Sequence, residues 1–154
     1  MTERSAIQAS FTIERIFDAP PARVFQCFAE AETKKRWACH EDWRMTEFDF
    51  RPGGREVSSG GEPGGPVYDF NGRYQDIVPG ERIVFAFEMR RDGVRFSISV
   101  GTIQFEPHAR GTRLLFSEQG VFLDGYEDPA QRESGSGVGL DNLAEMLRRE
   151  AAAA

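Results

Sequence analysis

The sequence predicts an α+β protein in which antiparallel strands lie between two helical segments, in the order β-α-α-β6-α. Three observations carry this. An early alternating segment runs straight into two short helical patterns. Six further segments alternate with period two and are joined by Gly, Pro and Asp turns. The last segment returns to helical spacing behind a capping signal. At 154 residues the chain is read as a single domain spanning 1–154. A chain of this size buries roughly 70% of its unfolded surface and needs no disulfide or metal to hold a core.

The first strand is SFTIERIF (10–17), where Phe11, Ile13 and Phe17 share a side interrupted only by Arg15. Asp18-Ala-Pro-Pro ends it. Pro20 precedes a proline and so disfavours the helical region, while Pro21 suits the first position of a helix. Val24, Phe25 and Phe28 then fall on one helical face, and a second short helix runs from Ala31 to Trp37. After Trp43 the period becomes two, with Thr46, Phe48 and Phe50 expected on one side. Arg-Pro-Gly-Gly turns the chain, Arg55-Glu56-Val57 begins a short return strand, and SSGGEPGG is read as a loop.

The glycine-rich stretch RPGGREVSSGGEPGGPVY (51–68) therefore lies between strands. A phosphate-binding loop needs G-x-x-x-x-G-K-[ST] opening a helix, and both the lysine and the helix are missing, so the stretch is turns. The next strand runs from Pro66 to Ile77, with Tyr68, Phe70 and Tyr74 on one parity. Val78-Pro79-Gly80-Glu81 is a turn, and Arg82 to Arg90 carries Ile83, Phe85, Phe87 and Met89 in step. Asp92-Gly93 reverses the chain as a hairpin. Val94, Phe96, Ile98 and Val100 then alternate, but Ile103 and Phe105 have the other parity, so a β-bulge is expected at Gly101. Thr112 to Gln119 is the last strand. In the final helix Asp128 is the cap, Pro129 opens the first turn and Gln131 completes a capping box. Leu140, Leu143 and Leu147 form its apolar stripe.

The net charge of −6 argues against nucleic-acid binding, which needs a basic patch. Lys34-Lys35-Arg36, Arg90-Arg91 and Arg148-Arg149 are read as solvated clusters. Cys27 and Cys39 have neither the spacing nor the partners of a zinc site, so no metal and no cofactor is expected. No apolar run is long enough to cross or insert into a membrane, and no secretory h-region opens the sequence, so a cytoplasmic location with reduced thiols is expected. His40, beside Cys39, is read as a surface or packing residue, and His108 as a turn residue. There is no G-x-S-x-G elbow, and the glycines of SGSGVG (134–139) miss dinucleotide-binding spacing. No catalytic constellation emerges.

Taken together, FDAPPARVFQCF, the Trp37 that ends the second helix, FDFRPGGREV, NGRYQDIVPGERIVFAFE, FEPHARGTRLLFSEQG and GLDNLAEML have a familiar order. The chain resembles the bacterial activator-of-Hsp90-ATPase-like (AHSA1-like) proteins of the START/Bet v 1-like (SRPBCC) superfamily, over about residues 11 to 147. The resemblance implies a helix-grip fold, a curved antiparallel sheet wrapped around a long C-terminal helix. It also implies a cavity between them that in many relatives holds an apolar ligand. Relatives include lipid carriers and polyketide cyclases, so the fold does not fix the activity. The family name suggests a chaperone partner, but the N-x-N-N-W-H-W motif of the eukaryotic co-chaperone is absent from this sequence. Relatives often carry Gly-Trp early in the last helix, where this chain has Gly135-Ser136. Ser136 sits four before Leu140, on the face toward the sheet, so the exchange enlarges the cavity or is filled by neighbouring rings.

The expected function is binding of an apolar or lipid-like small molecule. Candidate lining residues are Trp37, Phe48, Tyr68, Phe70, Phe87, Phe96, Phe116, Ser136, Leu140 and Met146. Two alternatives stand beside it. A cyclase- or hydrolase-type enzyme would place a polar group with a shifted pKa in the same cavity, with Tyr68, Arg73 or Glu88 as carriers. A protein-interaction module would show an exposed apolar patch or a long unpaired edge strand. The sequence is compatible with a monomer or a homodimer.

Overall fold

The computed structural model describes residues 3–39 and 42–154. Its elements follow the expected order: β1 (Ala6–Phe17), α1 (Pro21–Ala29), α2 (Ala31–Ala38), β2 (Trp43–Phe48), β3 (Arg55–Gly60), β4 (Tyr68–Val78), β5 (Arg82–Arg91), β6 (Val94–His108), β7 (Gly111–Leu123) and α3 (Pro129–Ala153). The seven strands form one antiparallel sheet in the order β1-β7-β6-β5-β4-β3-β2. β1 crosses over to pair with β7, and the rest follow as hairpins. α1 touches β6 and β7, α2 touches α3 and β2, and α3 packs on β1.

Three of the turns share one solution. Arg51–Gly54, Glu62–Gly65 and Val78–Glu81 each carry Pro at the second position and a positive-φ glycine at the third, closed by a backbone bond from the fourth residue to the first. Asp92 and Gly93 both have positive φ (48° and 81°), the two-residue hairpin geometry that matches strand twist. At α3 the capping box forms as the sequence predicts. Asp128 Oδ1 accepts from the Ala130 amide at 2.8 Å, and Gln131 Oε1 accepts from the Asp128 amide at 2.9 Å.

Three expectations are corrected. Pairing runs unbroken through Gly101, which faces Phe85 on β5 and Glu118 on β7. A Cβ at Gly101 would come within 2.5 Å of the Phe85 ring, so this glycine makes room for an aromatic side chain. The register shift lies instead at Phe96, between Arg95 and Ser97. Beyond it, Ser97, Ser99, Gly101, Ile103 and Phe105 face inward, while Ile98 and Val100, each 43% exposed, face out. Secondly, Thr46 does not share a face with Phe48, because it is the extra residue of a bulge between Met45 and Glu47. Thirdly, Ser58, Ser59 and Gly60 belong to β3 and pair with both β2 and β4.

The core lies between the inner sheet face and the three helices. Ile13, Phe17, Ile83, Ile103, Phe105 and Leu114 from the sheet meet Val24, Cys27 and Phe28 of α1 and Leu140, Leu143, Met146 and Leu147 of α3. Trp37 donates its indole N–H to the Cys27 carbonyl at 2.9 Å and packs edge-on against Phe28. One side chain thus ties α2 to α1. Burial pushes the Cys27 thiol up to about 11, so it behaves as a packing group.

Candidate functional site

A cavity of about 280 Å3 opens between the sheet and the helices. Its apolar wall comes from every layer: Phe28 on α1, Trp37 and Ala38 on α2, and Leu140 on α3. The sheet adds Phe70, Tyr74, Ile83, Phe85, Ile103 and Phe116, and the connection after β2 adds Phe50. Three small residues make the space. A Cβ at Gly72 would lie 2.8 Å from the Phe70 ring, and Ser136 and Gly139 present little side chain from α3. The rings hold one another in place: Phe50 packs edge-on to Tyr74 at 4.9 Å, and Phe85 stacks on Phe87 at 5.4 Å.

The wall also contains a polar cluster. Glu56 on β3 is 8% exposed. Its Oε1 accepts a bond from Lys34 Nζ at 2.5 Å and another from the Tyr74 hydroxyl. All three residues line the cavity. Lys34 also lies 5.7 Å from the centre of the Phe48 ring. Among the described residues, Glu56 Oε2 accepts no hydrogen bond. Burial, followed by the charge of Glu56 and the bond to it, pushes the Tyr74 phenol well above the ordinary tyrosine range. Burial and Glu56 likewise push the Cys39 thiol up. His40 lies outside the described residues. Among those residues no group of three His, Cys, Asp or Glu side chains is placed to hold a metal ion.

Of the ten residues expected to line a cavity, the structure brings Trp37, Phe70, Phe116, Ser136 and Leu140 to this one. Phe48 stacks behind it on Phe50, and Met146 is packed in the core below. Tyr68, Phe87 and Phe96 have inward parity but belong to the other end of the inner face, where a different cluster fills the space. There Arg132 of α3 reaches down to the sheet. It donates to Glu118 Oε2 at 2.8 Å, to Ser97 Oγ at 2.8 Å and through two nitrogens to Glu127, while Ser99 Oγ also donates to Glu118. Its guanidinium lies over Phe122 and Phe87 at 5.0 and 5.7 Å. Tyr68 packs on Phe96, and Phe96 on Tyr126. Burial pushes the Glu118 carboxyl up, against the pull of Arg132 and Ser99 toward the charged form.

Sequence reasoning missed Lys34, Glu56 and Tyr74 as a group. Lys34 was expected to be solvated, yet its side chain is only 14% exposed. The available signal was Trp37 three residues later, on the same helical face. Glu56 was read only as part of a short return strand, and its inward direction depends on which side of β3 meets α2. Of the carriers considered for catalysis, Glu88 faces out and pairs with Arg90 and Arg95. Tyr68 is away from the cavity. Arg73 borders it, but its exposed guanidinium is held by the Gly53 carbonyl at 2.5 Å.

The family described as Activator of Hsp90 ATPase homolog 1-like protein matches residues 18–148. The chain belongs to this family. It is a member of the SRPBCC superfamily, with the seven-stranded antiparallel sheet and long C-terminal helix of its structural neighbours. An uncharacterized protein from Rhizobium leguminosarum, solved at 1.9 Å, is 43% identical with a TM-score of 0.88, covering 96% of this chain and 99% of its own. A protein from Rhizobium loti is 40% identical with a TM-score of 0.83, covering 92% and 98%. One from Chromobacterium violaceum is 27% identical with a TM-score of 0.76, covering 90% and 96%. No curated protein matches the chain. Among the described residues no helix is long and apolar enough to cross a membrane.

Proposed function

We propose that this member of the AHSA1-like family is a small-molecule binding protein that holds an apolar or lipid-like ligand between its sheet and α3. The observation that carries the reading is the cavity: seven aromatic residues line a space that no side chain fills. An apolar ligand in such a space takes the ring surfaces out of contact with water and gains dispersion contacts with them. The binding unit is the whole chain, 1–154, acting in the cytoplasm, where the free Cys27 and Cys39 suit a reducing compartment.

Native mass spectrometry tests this. The intact protein is expected to carry an extra mass that is lost on denaturation and absent from Ser136→Trp, whose indole occupies the cavity. A clean apo mass, together with no uptake of any apolar compound in solution, would sink the reading.

The second reading, a cyclase- or hydrolase-type enzyme, is favoured by one observation: Lys34, Glu56 and Tyr74 face the cavity as a cluster, with the phenol held protonated. Turnover of a bound ligand that stops in Tyr74→Phe would promote it. A chaperone-related role, which the family description suggests, would use the surface instead. Loss of a captured chaperone on Ile98→Lys, in the outer sheet face, would support that role.

A further inference from the structure

Lys34 and Glu56 are two charged groups in the wall of the cavity. Their charges cancel, and the Tyr74 phenol is neutral. Tyr74 and Lys34 both bond to Oε1, so within this cluster Oε2 and the remaining ammonium protons have no partner among the described residues. While the cavity holds water, these atoms are hydrated. A ligand that displaces the water must replace its hydrogen bonds or leave a buried charge partly unpaired.

That requirement separates ligand classes. A hydrocarbon fills the aromatic space but satisfies neither atom. A carboxylate pairs with Lys34 and is repelled by Glu56, and an ammonium meets the reverse conflict. A hydroxyl both donates and accepts, so one small head serves both partners with no net charge. Size follows from volume. A cavity of about 150 Å3 accommodates benzene, so 280 Å3 suits roughly a dozen non-hydrogen atoms.

Resting on the binding reading above, we propose that the cavity recognises a neutral, ring-sized apolar molecule bearing one hydroxyl head, which donates to Glu56 and accepts from Lys34. The polar cluster is therefore the part of the site that sets specificity, and the aromatic wall supplies the affinity common to all ligands of that size.

The test is equilibrium dialysis of the intact protein against three probes of matched shape: 2-naphthol, naphthalene and 2-naphthoate. The expected result is that 2-naphthol binds roughly tenfold tighter than either of the others. The paired variant Lys34→Met/Glu56→Met removes both charges at similar volume, which usually leaves stability intact. In it, naphthalene binding is expected to persist, showing that the cavity is preserved, while the 2-naphthol advantage disappears. Ser136→Ala is expected to keep the advantage. Equal binding of 2-naphthol and naphthalene to the unaltered protein would overturn the head-group inference and leave the binding reading standing. So would an advantage that survives the paired variant or is lost in Ser136→Ala. A preference for 2-naphthoate would overturn it in favour of an anion site. Failure of all three probes to bind would overturn it, and joined to a clean apo mass and no uptake of any other apolar compound would sink the binding reading as well.

Discussion

The inner face of the sheet carries two buried ionic clusters with opposite designs. Around Arg132, every nitrogen of the guanidinium has a partner, and aromatic rings cover its faces. Around Glu56, one carboxylate oxygen carries both internal bonds, and the group borders an unfilled volume. The first cluster plugs its end of the grip and fastens α3 to β6 and β7. The second leaves polar capacity at a wall. The same chemistry, a cation on a helix and a carboxylate on a strand, is structural where it is closed and available for recognition where it is open.

The sharpest way to break this contrast is to remove one partner from each cluster. Arg132→Met strands Glu118 among buried groups and is expected to cost about 3–5 kcal/mol, read from urea unfolding. The double variant Arg132→Met/Glu118→Gln should recover most of that loss. Protonation gives the next largest effect. The folded state holds the Tyr74 proton to higher pH than the unfolded chain, whose tyrosines ionise near pH 10. Stability is therefore intact below about pH 10 and falls above it, by about 1.4 kcal/mol per pH unit. Tyr74→Phe should remove that component, as unfolding midpoints across alkaline pH would reveal.

A smaller effect is expected at the open cluster. In Lys34→Met, Glu56 keeps its bond from Tyr74 and still borders the cavity, so the loss should be about 1–2 kcal/mol. A loss equal to that of Arg132→Met would mean that the two clusters are equally closed and that the contrast is wrong. The smallest effect distinguishes positions along α3. A methyl group at Gly135 would meet nothing within 4 Å, so Gly135→Ala should stabilise by up to about 1 kcal/mol in thermal unfolding. At Gly137, by contrast, a Cβ would lie 3.2 Å from Arg15 Nη2, so alanine there should gain less.

Much of the architecture was legible because local chemistry fixes it. Pro-Gly pairs specify their turns, Asp92-Gly93 its hairpin and Asp128-Pro129-Ala130-Gln131 the start of α3. The site was legible only in part. Parity correctly turned Phe70 and Phe116 inward, but it did the same for Tyr68 and Phe87, which lie at the plugged end. Alternation identifies a face of a strand and says nothing about what stands opposite each position along it. The Gly101 misreading has a related cause. Ile98 and Val100 are apolar on the outer face, while serines and a glycine occupy the inner one, so hydrophobicity pointed the wrong way across half of β6.

By itself, then, the sequence determined the order of elements, the turns, the helix cap and the family, since each depends on neighbours a few residues apart or on motifs strung along the chain. The tertiary structure alone decided that Lys34 meets Glu56 across 22 positions and that Arg132 meets Ser97 across 35. A buried charge is tolerable only where a partner from a distant element arrives at hydrogen-bonding distance, and that arrival is set by how the sheet curves around its helix.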